Sequence, residues 1–289
     1  MKMNDTELES AKILIDLAIR EDVGSGDITT DSLVPSGIKK DACMVAKAGG
    51  VIAGLEVAEM VFRRFDPDLV WKPLVSDGDK VSRGDVIVWF SANYRALLTG
   101  ERIALNFLQR MSGIATSASE YVAVLKGFHT KILDTRKTLP GFRLCDKYAV
   151  KAGGASNHRI GLYDMVMIKD NHIAIAGGIA RAVEAIRPNI APGIEIEVET
   201  TNLEEVREAL DAGAGIIMLD NMDNETMSRA VTLINGRAKT EASGNMTPER
   251  LLEVARTGVD FISVGALTHS VKALDISQRI KEGGIKPVF

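Results

Sequence analysis

Residues 194–234 read IEIEVETTNLEEVREALDAGAGIIMLDNMDNETMSRAVTLI and contain one pattern twice, a short apolar run followed by an amphipathic run. The runs IEIEVET and IIMLDN are dominated by aliphatic residues, which predicts buried strands. The run after each of them predicts a helix, with Asn202 and Asn224 as N-caps before acidic first turns. Strands that alternate with helices in this way form βαβ units with parallel strands.

The same alternation continues on both sides of this stretch. Helices are predicted at 178–188 and 247–258. Four further strands are predicted, in the runs KILDTRK (131–137), MVMIKDN (165–171), KTEASGN (239–245) and FISVGAL (261–267). Six strands in this order, without a GxGxxG loop, favour a TIM-like α/β barrel over a doubly wound sheet.

The first part of the chain has a different rhythm. Residues 1–112 combine short strands, glycine turns and helices, which predicts an α+β domain. Residues 97–127 are rich in helix-forming residues, with a predicted break near Ser112. We therefore expect a first domain at 1–112 and a barrel domain at 113–269, and we expect the tail 270–289 to return to the first domain.

The composition excludes several classes of protein. Hydrophobic residues make up 46% and charged residues 26% of the 289 residues, a balance typical of globular proteins. No apolar run reaches the ~18 residues that span a membrane, and MKMNDTELES lacks the apolar core of a signal peptide. The net charge of −4 argues against a nucleic-acid partner. Cys43 and Cys145 lie far apart, without a metal-ligand spacing, so we expect a cytoplasmic protein.

Polar residues collect at the C-terminal ends of the predicted strands, where active sites of parallel barrels form. The early strands end in cations, the middle strands in carboxylates, and the last two in small residues followed by glycines. In chain order these residues are Asp134, Arg136, Lys137, Lys169, Asp170, Glu197, Glu199, Asp220, Asn221, Glu241, Ser243, Gly244 and Gly265. Arginine and lysine bind carboxylates and phosphates, and glycine loops offer backbone N–H groups to a phosphate. The pattern predicts a phosphorylated ligand, a second anion and a metal ion.

Several of these residues allow more than one interpretation. Glu199 and Asp220 could hold a hard cation such as Mg²⁺, which prefers oxygen ligands, or bind ribose hydroxyls. Glu197 shares a strand face with Glu199, yet it could simply pair with a neighbouring lysine. Asp134 is expected to orient the neighbouring cations. Asp170 and His172 fit a structural role as well as a functional one.

Six motifs resemble the signature of the quinolinate phosphoribosyltransferase family. They are LDTRKTLPGFR, DKYAVKAGGASNHRIGLYDMVMIKDNH, EVET, IIMLDN, EASGN and VGALTHS, and the similarity extends from REDVGSGDITT to GALTHSVKALDIS. The resemblance implies an N-terminal sandwich domain and an incomplete α/β barrel. It also implies the Mg²⁺-dependent reaction of quinolinate with phosphoribosyl pyrophosphate, which gives nicotinate mononucleotide, pyrophosphate and CO₂.

The resemblance further implies a role for particular residues. Arg102 would reach the active site of a partner chain in a homodimer or a higher even oligomer. The expected substrate contacts are Arg102, Thr135, Arg136, Lys137, His158, Arg159, Lys169, Glu199 and Asp220. Of these, Lys137, Lys169, Glu199 and Asp220 would be catalytic, and Glu199 and Asp220 would hold Mg²⁺ directly or through the substrate. The expected phosphate contacts are Ser243, Gly244, Asn245, Val264, Gly265 and Ala266.

Two other functions remain open from the residues. A phosphoribosyltransferase of the same fold with another acceptor would need a smaller set of cations if that acceptor carried one carboxylate. A Schiff-base aldolase would use Lys169, since lysines on barrel strands can form covalent adducts with carbonyl substrates.

Overall fold

A computed structural model describes residues 1–281 of the chain. Its helices are α1 (Asp5–Asp22), α2 (Ile28–Leu33), α3 (Leu55–Phe65), α4 (Tyr94–Val124), α5 (Arg143–Ala152), α6 (Asp170–Ala176), α7 (Ile179–Ile186), α8 (Leu203–Asp211), α9 (Asn224–Ile234), α10 (Pro248–Arg256) and α11 (Ala266–His269). Its strands are β1 (Lys39–Ala46), β2 (Gly50–Val51), β3 (Val70–Pro73), β4 (Lys80–Val81), β5 (Val86–Asn93), β6 (Lys131–Leu133), β7 (Val166–Ile168), β8 (Ile196–Thr200), β9 (Ile216–Asp220), β10 (Lys239–Ser243), β11 (Phe261–Ser263) and β12 (Ile276–Ile280).

The chain forms two compact units that alternate along the sequence. The second unit comprises residues 120–137 and 155–267. The first unit comprises residues 1–119, residues 138–154 and the described residues from 268 onward. The segment 138–154, which carries α5, therefore belongs by its contacts to the first unit. No described helix is both long enough and apolar enough to cross a bilayer.

The first unit is built around a four-stranded antiparallel sheet in the order β12-β1-β5-β3. β1 is buried along its second half, where Ala42 and Met44 have no exposed surface. Phe62 of α3 packs against Phe90 of β5, with ring centroids 5.0 Å apart. β12 comes from the tail of the chain and pairs with β1, while residues 282–289 of the predicted returning tail lie outside the described residues.

The predicted break near Ser112 is wrong, because α4 runs unbroken for 31 residues. Ser112 and Gly113 instead permit close contacts that this helix makes within the first unit. The Ser112 hydroxyl accepts a hydrogen bond from the Ala53 N–H at 3.0 Å. A Cβ at Gly113 would lie 2.3 Å from the Lys272 carbonyl oxygen. The residues that usually signal a helix end here let other backbone segments approach the middle of a helix.

The second unit holds a six-stranded parallel sheet in the order β6-β11-β10-β9-β8-β7. The first two strands of this sheet in chain order, β6 and β7, stand at its opposite edges, as they would in a barrel opened between its first and second strands. One parallel bridge, Leu133 to Ser156, lies beside β6 at this opening. The predicted incomplete TIM-like α/β barrel with a separate α+β unit is confirmed as the fold.

One of the predicted helix caps is wrong by a single residue. Asn202 caps α8 and accepts a hydrogen bond from the Glu205 N–H at 2.9 Å. The cap of α9 is Asp223, which accepts from the Thr226 N–H at 2.7 Å, and Asn224 is the first residue of the helix. Asp and Asn are both good caps, so two in succession leave the starting residue undecided.

The strand register separates an apolar face of the barrel sheet from a polar one. Val198, Ile217 and Leu219 are fully buried on the apolar face, and α8 packs on β8 and β9. On the other face, Glu199 of β8 is level with Met218 of β9, which is level with Glu241 of β10. The polar side chains at the strand ends therefore share one face of the sheet.

Candidate active site

Asp134 lies in the loop after β6 and holds the chain at residues 157 and 158. Asp134 is fully buried. Its carboxylate accepts a hydrogen bond from Asn157 Nδ2 at 2.6 Å and from the His158 N–H at 2.8 Å. Because these bonds fix the backbone at residues 157 and 158, Asp134 orients the start of the cationic segment His158-Arg159.

His158 lies between two buried glutamates. Its Nε2 is 3.1 Å from Glu197 Oε2 and 3.2 Å from Glu241 Oε2, and the side-chain exposures are 7% for the histidine, 0% for Glu197 and 1% for Glu241. Burial lowers the pKa of His158, but contact with the two carboxylates outweighs it and raises the pKa to about 10. Burial and the neighbouring Glu241 raise the pKa of Glu197.

The hydrogen bond at the other ring nitrogen of His158, Nδ1, indicates which nitrogen carries the ring proton. The Arg159 N–H donates to His158 Nδ1 at 2.7 Å, so Nδ1 has to be unprotonated in this geometry, whereas a histidine with so high a pKa would be protonated on both nitrogens. In this geometry Nε2 carries the ring proton and faces the two carboxylates.

Two arginines lie close together beside this cluster. Arg159 donates to the Met165 carbonyl oxygen at 3.1 Å and contacts Met167 Sδ at 3.7 Å. Burial lowers the pKa of Arg159, and the positive charge of Arg136 lowers it further, while Glu197 opposes both. Two guanidinium groups that repel each other in a partly buried site favour binding of an anion between them.

Lys169 and Glu199 form an ion pair across β7 and β8. The Lys169 N–H also donates to His172 Nδ1 at 3.0 Å, so His172 holds the backbone from which the lysine side chain extends. Asp170 is exposed and accepts a hydrogen bond from the N–H of Asn171, at the start of α6. Asp220, at the end of β9, accepts a hydrogen bond from Asn221 Nδ2 at 2.7 Å.

The loop after β10 adopts a conformation that requires glycine. Gly244 has φ of +100° and Asn245 has φ of +46°. A Cβ on Gly244 would lie 2.1 Å from Asn221 Oδ1, so the loops after β9 and β10 are in direct contact. Arg250 of α10 donates to the Gly244 carbonyl oxygen at 2.9 Å and to the Met222 carbonyl oxygen at 3.2 Å. Arg250 is a site residue that no sequence motif indicated.

The remaining predicted residues fall into three places. Thr135, Arg136 and Lys137 follow β6, and the Thr135 hydroxyl accepts a hydrogen bond from the Lys137 N–H at 3.1 Å. Ser243 ends β10, while Val264, Gly265 and Ala266 follow β11. Arg102 is exposed on α4 in the first unit, so its predicted contact with a partner chain stays a prediction. His158 also stays a predicted substrate contact, and both of its ring nitrogens already have partners.

Two family models match the chain side by side. Residues 27–112 match the N-terminal domain of quinolinate phosphoribosyl transferase, and residues 114–279 match its C-terminal domain. The chain belongs to the quinolinate phosphoribosyltransferase family. The family resemblance expected from the six motifs is thereby confirmed.

Curated relatives in this family match over most of their length. "Quinolinate phosphoribosyltransferase [decarboxylating] 2b, mitochondrial" from Nicotiana tabacum is 47% identical over 288 aligned residues, which cover 93% of this chain and 82% of that protein. "Probable nicotinate-nucleotide pyrophosphorylase [carboxylating]" from Synechocystis sp. is 46% identical over 267 residues, covering 91% of this chain and 90% of that protein.

Solved structures of the family share the fold of the whole chain. NadC from Streptococcus pyogenes superposes with a TM-score of 0.92 at 39% identity, covering 97% of this chain and 99% of that one. The nicotinate-nucleotide pyrophosphorylase from Francisella tularensis superposes with a TM-score of 0.91 at 40% identity, covering 97% and 98%.

Proposed function

We propose that the protein transfers the phosphoribosyl group of phosphoribosyl pyrophosphate to quinolinate with loss of CO₂, and so forms nicotinate mononucleotide and pyrophosphate. This is a pentosyltransferase reaction of NAD biosynthesis. The observation that carries the proposal is the collection of cations and carboxylates at the carboxyl ends of the barrel strands, where Lys169 pairs with Glu199 and the charge of Arg136 acts on Arg159. Family membership supports the same reaction.

Quinolinate carries two adjacent carboxylates, and the arginine pair suits them. A guanidinium can bind a carboxylate through two parallel N–H···O bonds, and an anion placed between Arg136 and Arg159 removes their mutual repulsion. A dicarboxylate can contact both arginines, whereas an acceptor with one carboxylate would gain less from the pair. Quinolinate is therefore favoured over the acceptors of related enzymes with one carboxylate.

Phosphoribosyl pyrophosphate would occupy the loops at the ends of β9, β10 and β11. The glycine loop at Gly244 would offer backbone N–H groups to a phosphate, and Ser243, Asn245, Val264, Gly265 and Ala266 complete the proposed 5′-phosphate site. Lys137 and Lys169 would face the pyrophosphate, since ammonium groups bind phosphates as point charges. Lys169 would then exchange its contact with Glu199 for one with the substrate.

Glu199 and Asp220 fit a magnesium site. Both present carboxylate oxygens, the ligands that Mg²⁺ prefers, on the same face of neighbouring strands. Bound Mg²⁺ supplies positive charge that stabilises the departing pyrophosphate. The same two carboxylates would also bind the ribose hydroxyls or stabilise positive charge on the sugar.

The chemistry would proceed in two stages. The pyridine nitrogen attacks the anomeric carbon as pyrophosphate leaves, through a transition state with positive charge on the ribose, which the carboxylates of Glu199 and Asp220 stabilise. The nitrogen is then quaternary, so it stabilises the electron pair that remains on the neighbouring ring carbon when CO₂ departs. That carbon then takes up a proton from a water molecule. The second stage needs orientation and exclusion of bulk water, with no dedicated base.

The proposal includes a homodimer, or a higher even oligomer, in which Arg102 of one chain completes the quinolinate site of another. An exposed arginine on α4 is available for such a contact. It also includes a cytoplasmic location, supported by two buried free cysteines. The Nicotiana tabacum relative is named as mitochondrial, so the same family also works in an organelle.

The decisive experiment mixes the protein with quinolinate, phosphoribosyl pyrophosphate and Mg²⁺ and follows the loss of the quinolinate absorbance together with release of pyrophosphate. We expect both signals to change in equal amounts. Turnover with a pyridine monocarboxylate, and none with quinolinate, would assign the protein to another acceptor. Trapping of a covalent adduct by borohydride would favour an aldolase, although Lys169 is held as an ion pair and a Schiff-base lysine reacts as the uncharged amine.

A further inference from the structure

We propose that Glu197 and Glu241 are positioning residues for the quinolinate site, because together they hold the His158 ring and through it the backbone of Arg159. This inference rests on the proposed function, which makes Arg159 a contact for a substrate carboxylate. Neither glutamate belongs to the expected catalytic or binding residues of the site.

The two carboxylates reach His158 from strands that are not neighbours. Glu197 lies on β8 and Glu241 on β10, with β9 between them, so their strands are about 10 Å apart. Both nevertheless approach the same ring nitrogen, at 3.1 and 3.2 Å. The imidazole thus bridges the polar face of the barrel sheet above β9, and its position depends on both strands.

The arrangement is costly for a structural contact. Burying a carboxylate is unfavourable unless it is paired and hydrogen-bonded, and here two carboxylates with 0% and 1% exposure share one histidine. A buried charged cluster commonly stabilises a fold less than apolar side chains of the same volume would. Groups that break a folding rule without a gain in stability are typical of functional sites.

The ring position is transmitted to Arg159 by the backbone. The His158 N–H donates to buried Asp134 at 2.8 Å, which fixes one side of the residue. The Arg159 N–H donates to His158 Nδ1 at 2.7 Å, which fixes the other side. Rotation of the imidazole away from the glutamates would break this second bond and release the backbone from which the Arg159 guanidinium extends.

The same three groups could also be considered as metal ligands, since their ligand atoms lie within 4.8 Å of one another. Two observations favour a directly bonded cluster instead. His158 Nε2 lies within ion-pair distance of both carboxylates, at 3.1 and 3.2 Å, and the positive charges of Arg159 and Arg136 act close to the cluster. A cation added there would be repelled by both arginines, whereas the carboxylates of the cluster attract them.

The test uses Glu197→Gln and Glu241→Gln, which keep the shape of the side chain and remove its charge. Glu195→Gln is the matched control, because Glu195 precedes β8 on the same strand face but is exposed. For each variant, steady-state rates give KM for quinolinate and for phosphoribosyl pyrophosphate. We expect the quinolinate KM to rise about 10- to 100-fold, as for other groups that orient a ligand-binding side chain, with the other KM nearly unchanged.

A second measurement reports on the ring without any turnover. The chain has four histidines, so ¹⁵N spectra of histidine-labelled protein, assigned with His158→Gln, resolve the His158 ring nitrogens. We expect their shifts to change in both glutamate variants and not in Glu195→Gln. If wild-type protein does not turn over quinolinate, the proposed function is wrong, while this measurement still tests the contact.

Two outcomes would overturn the inference. One is an unchanged His158 signal in both variants, which would show that the glutamates do not hold the ring. The other is a changed signal with equal KM increases for both substrates, or with none, which would reduce the cluster to a structural contact. Thermal melts identify a variant that fails to fold. Its replacement is the Asp variant of the same glutamate, whose shorter side chain withdraws the carboxylate from the ring, and the same results are expected.

Discussion

Replacing Gly244 with alanine would test the proposed phosphate loop. The φ of +100° at this residue is strained for any L-residue, at a cost of about 1–2 kcal/mol. The new Cβ would also lie 2.1 Å from Asn221 Oδ1, so the Asn221 side chain has to move and give up its 2.7 Å hydrogen bond to Asp220. Loss of that bond adds about 1 kcal/mol, so we expect the free energy of unfolding to fall by about 2–3 kcal/mol.

Gly236→Ala is the control for this variant. Gly236 also has a positive φ, +73°, but an added Cβ there would meet no atom within 4 Å. The control therefore carries the backbone strain alone and should lose about 1–2 kcal/mol. The difference between the free energies of unfolding of the two variants, measured in urea, therefore reports the contact between the loops after β9 and β10.

The kinetic part of the test compares the two substrates. Displacement of Asn221 by the new Cβ would shift the loop backbone away from a bound phosphate, and one lost charge-assisted hydrogen bond is worth about 1.5–3 kcal/mol. The KM for phosphoribosyl pyrophosphate should therefore rise about 10- to 100-fold, with the quinolinate KM little changed. If Gly244→Ala resembles Gly236→Ala in both stability and KM, the close approach at Gly244 has no role in binding.

Three further predictions follow from individual contacts. Asp146→Ala would break the pair of hydrogen bonds from Arg110 to buried Asp146, at 3.0 and 2.8 Å. The free energy of unfolding in urea titrations should fall by about 3–5 kcal/mol, and a loss below about 1 kcal/mol would contradict this. Arg136→Ala should raise the quinolinate KM sharply and spare that of phosphoribosyl pyrophosphate; equal losses would argue against the assignment. Burial raises the pKa of Asp260, but Lys239 and hydrogen bonds from Thr240 outweigh it and lower the pKa below 3.8. The stabilisation that the Asp260 carboxylate gives the folded state is therefore present above pH 3.8 and lost as the pH falls through the folded-state pKa. Asp260→Asn should make the free energy of unfolding depend less on pH in this acid range. An unchanged pH dependence would refute the role assigned to Asp260.

The fold was largely predictable because its signals are local. Alternating strands and helices identify the barrel, since the period of the apolar residues changes from two to about 3.6 at each junction. The failures were also local in origin. Ser112 and Gly113 resemble a helix end, yet they serve contacts that α4 makes with distant parts of the chain. At Asp223 and Asn224 two equivalent capping residues follow each other, and only the backbone conformation distinguishes them.

The site was predictable as a collection of residues and not as a set of contacts. The cations and carboxylates could be assigned to one end of the barrel because parallel strands align their carboxyl ends. The convergence of Glu197 and Glu241 on His158 could not, since it depends on the curvature of the sheet across three strands. Arg250 was missed for a similar reason, because a single arginine in the first turn of a helix does not indicate which loops it joins.

The interleaved division of the chain limits how its parts can be exchanged. The backbone passes between the two units four times, and the segment 138–154 reaches the first unit from the middle of the barrel sequence. Its helix is tied there by Tyr148, which donates to Asp77 at 2.7 Å, and by Lys151, which pairs with Glu7 at 2.7 Å. A recombination event near residue 112 would separate these partners, so each half would inherit contacts that only the other half can satisfy. The two units therefore have to be inherited together. A substitution in α5 affects the stability of the first unit, although the codons of α5 lie among those of the barrel.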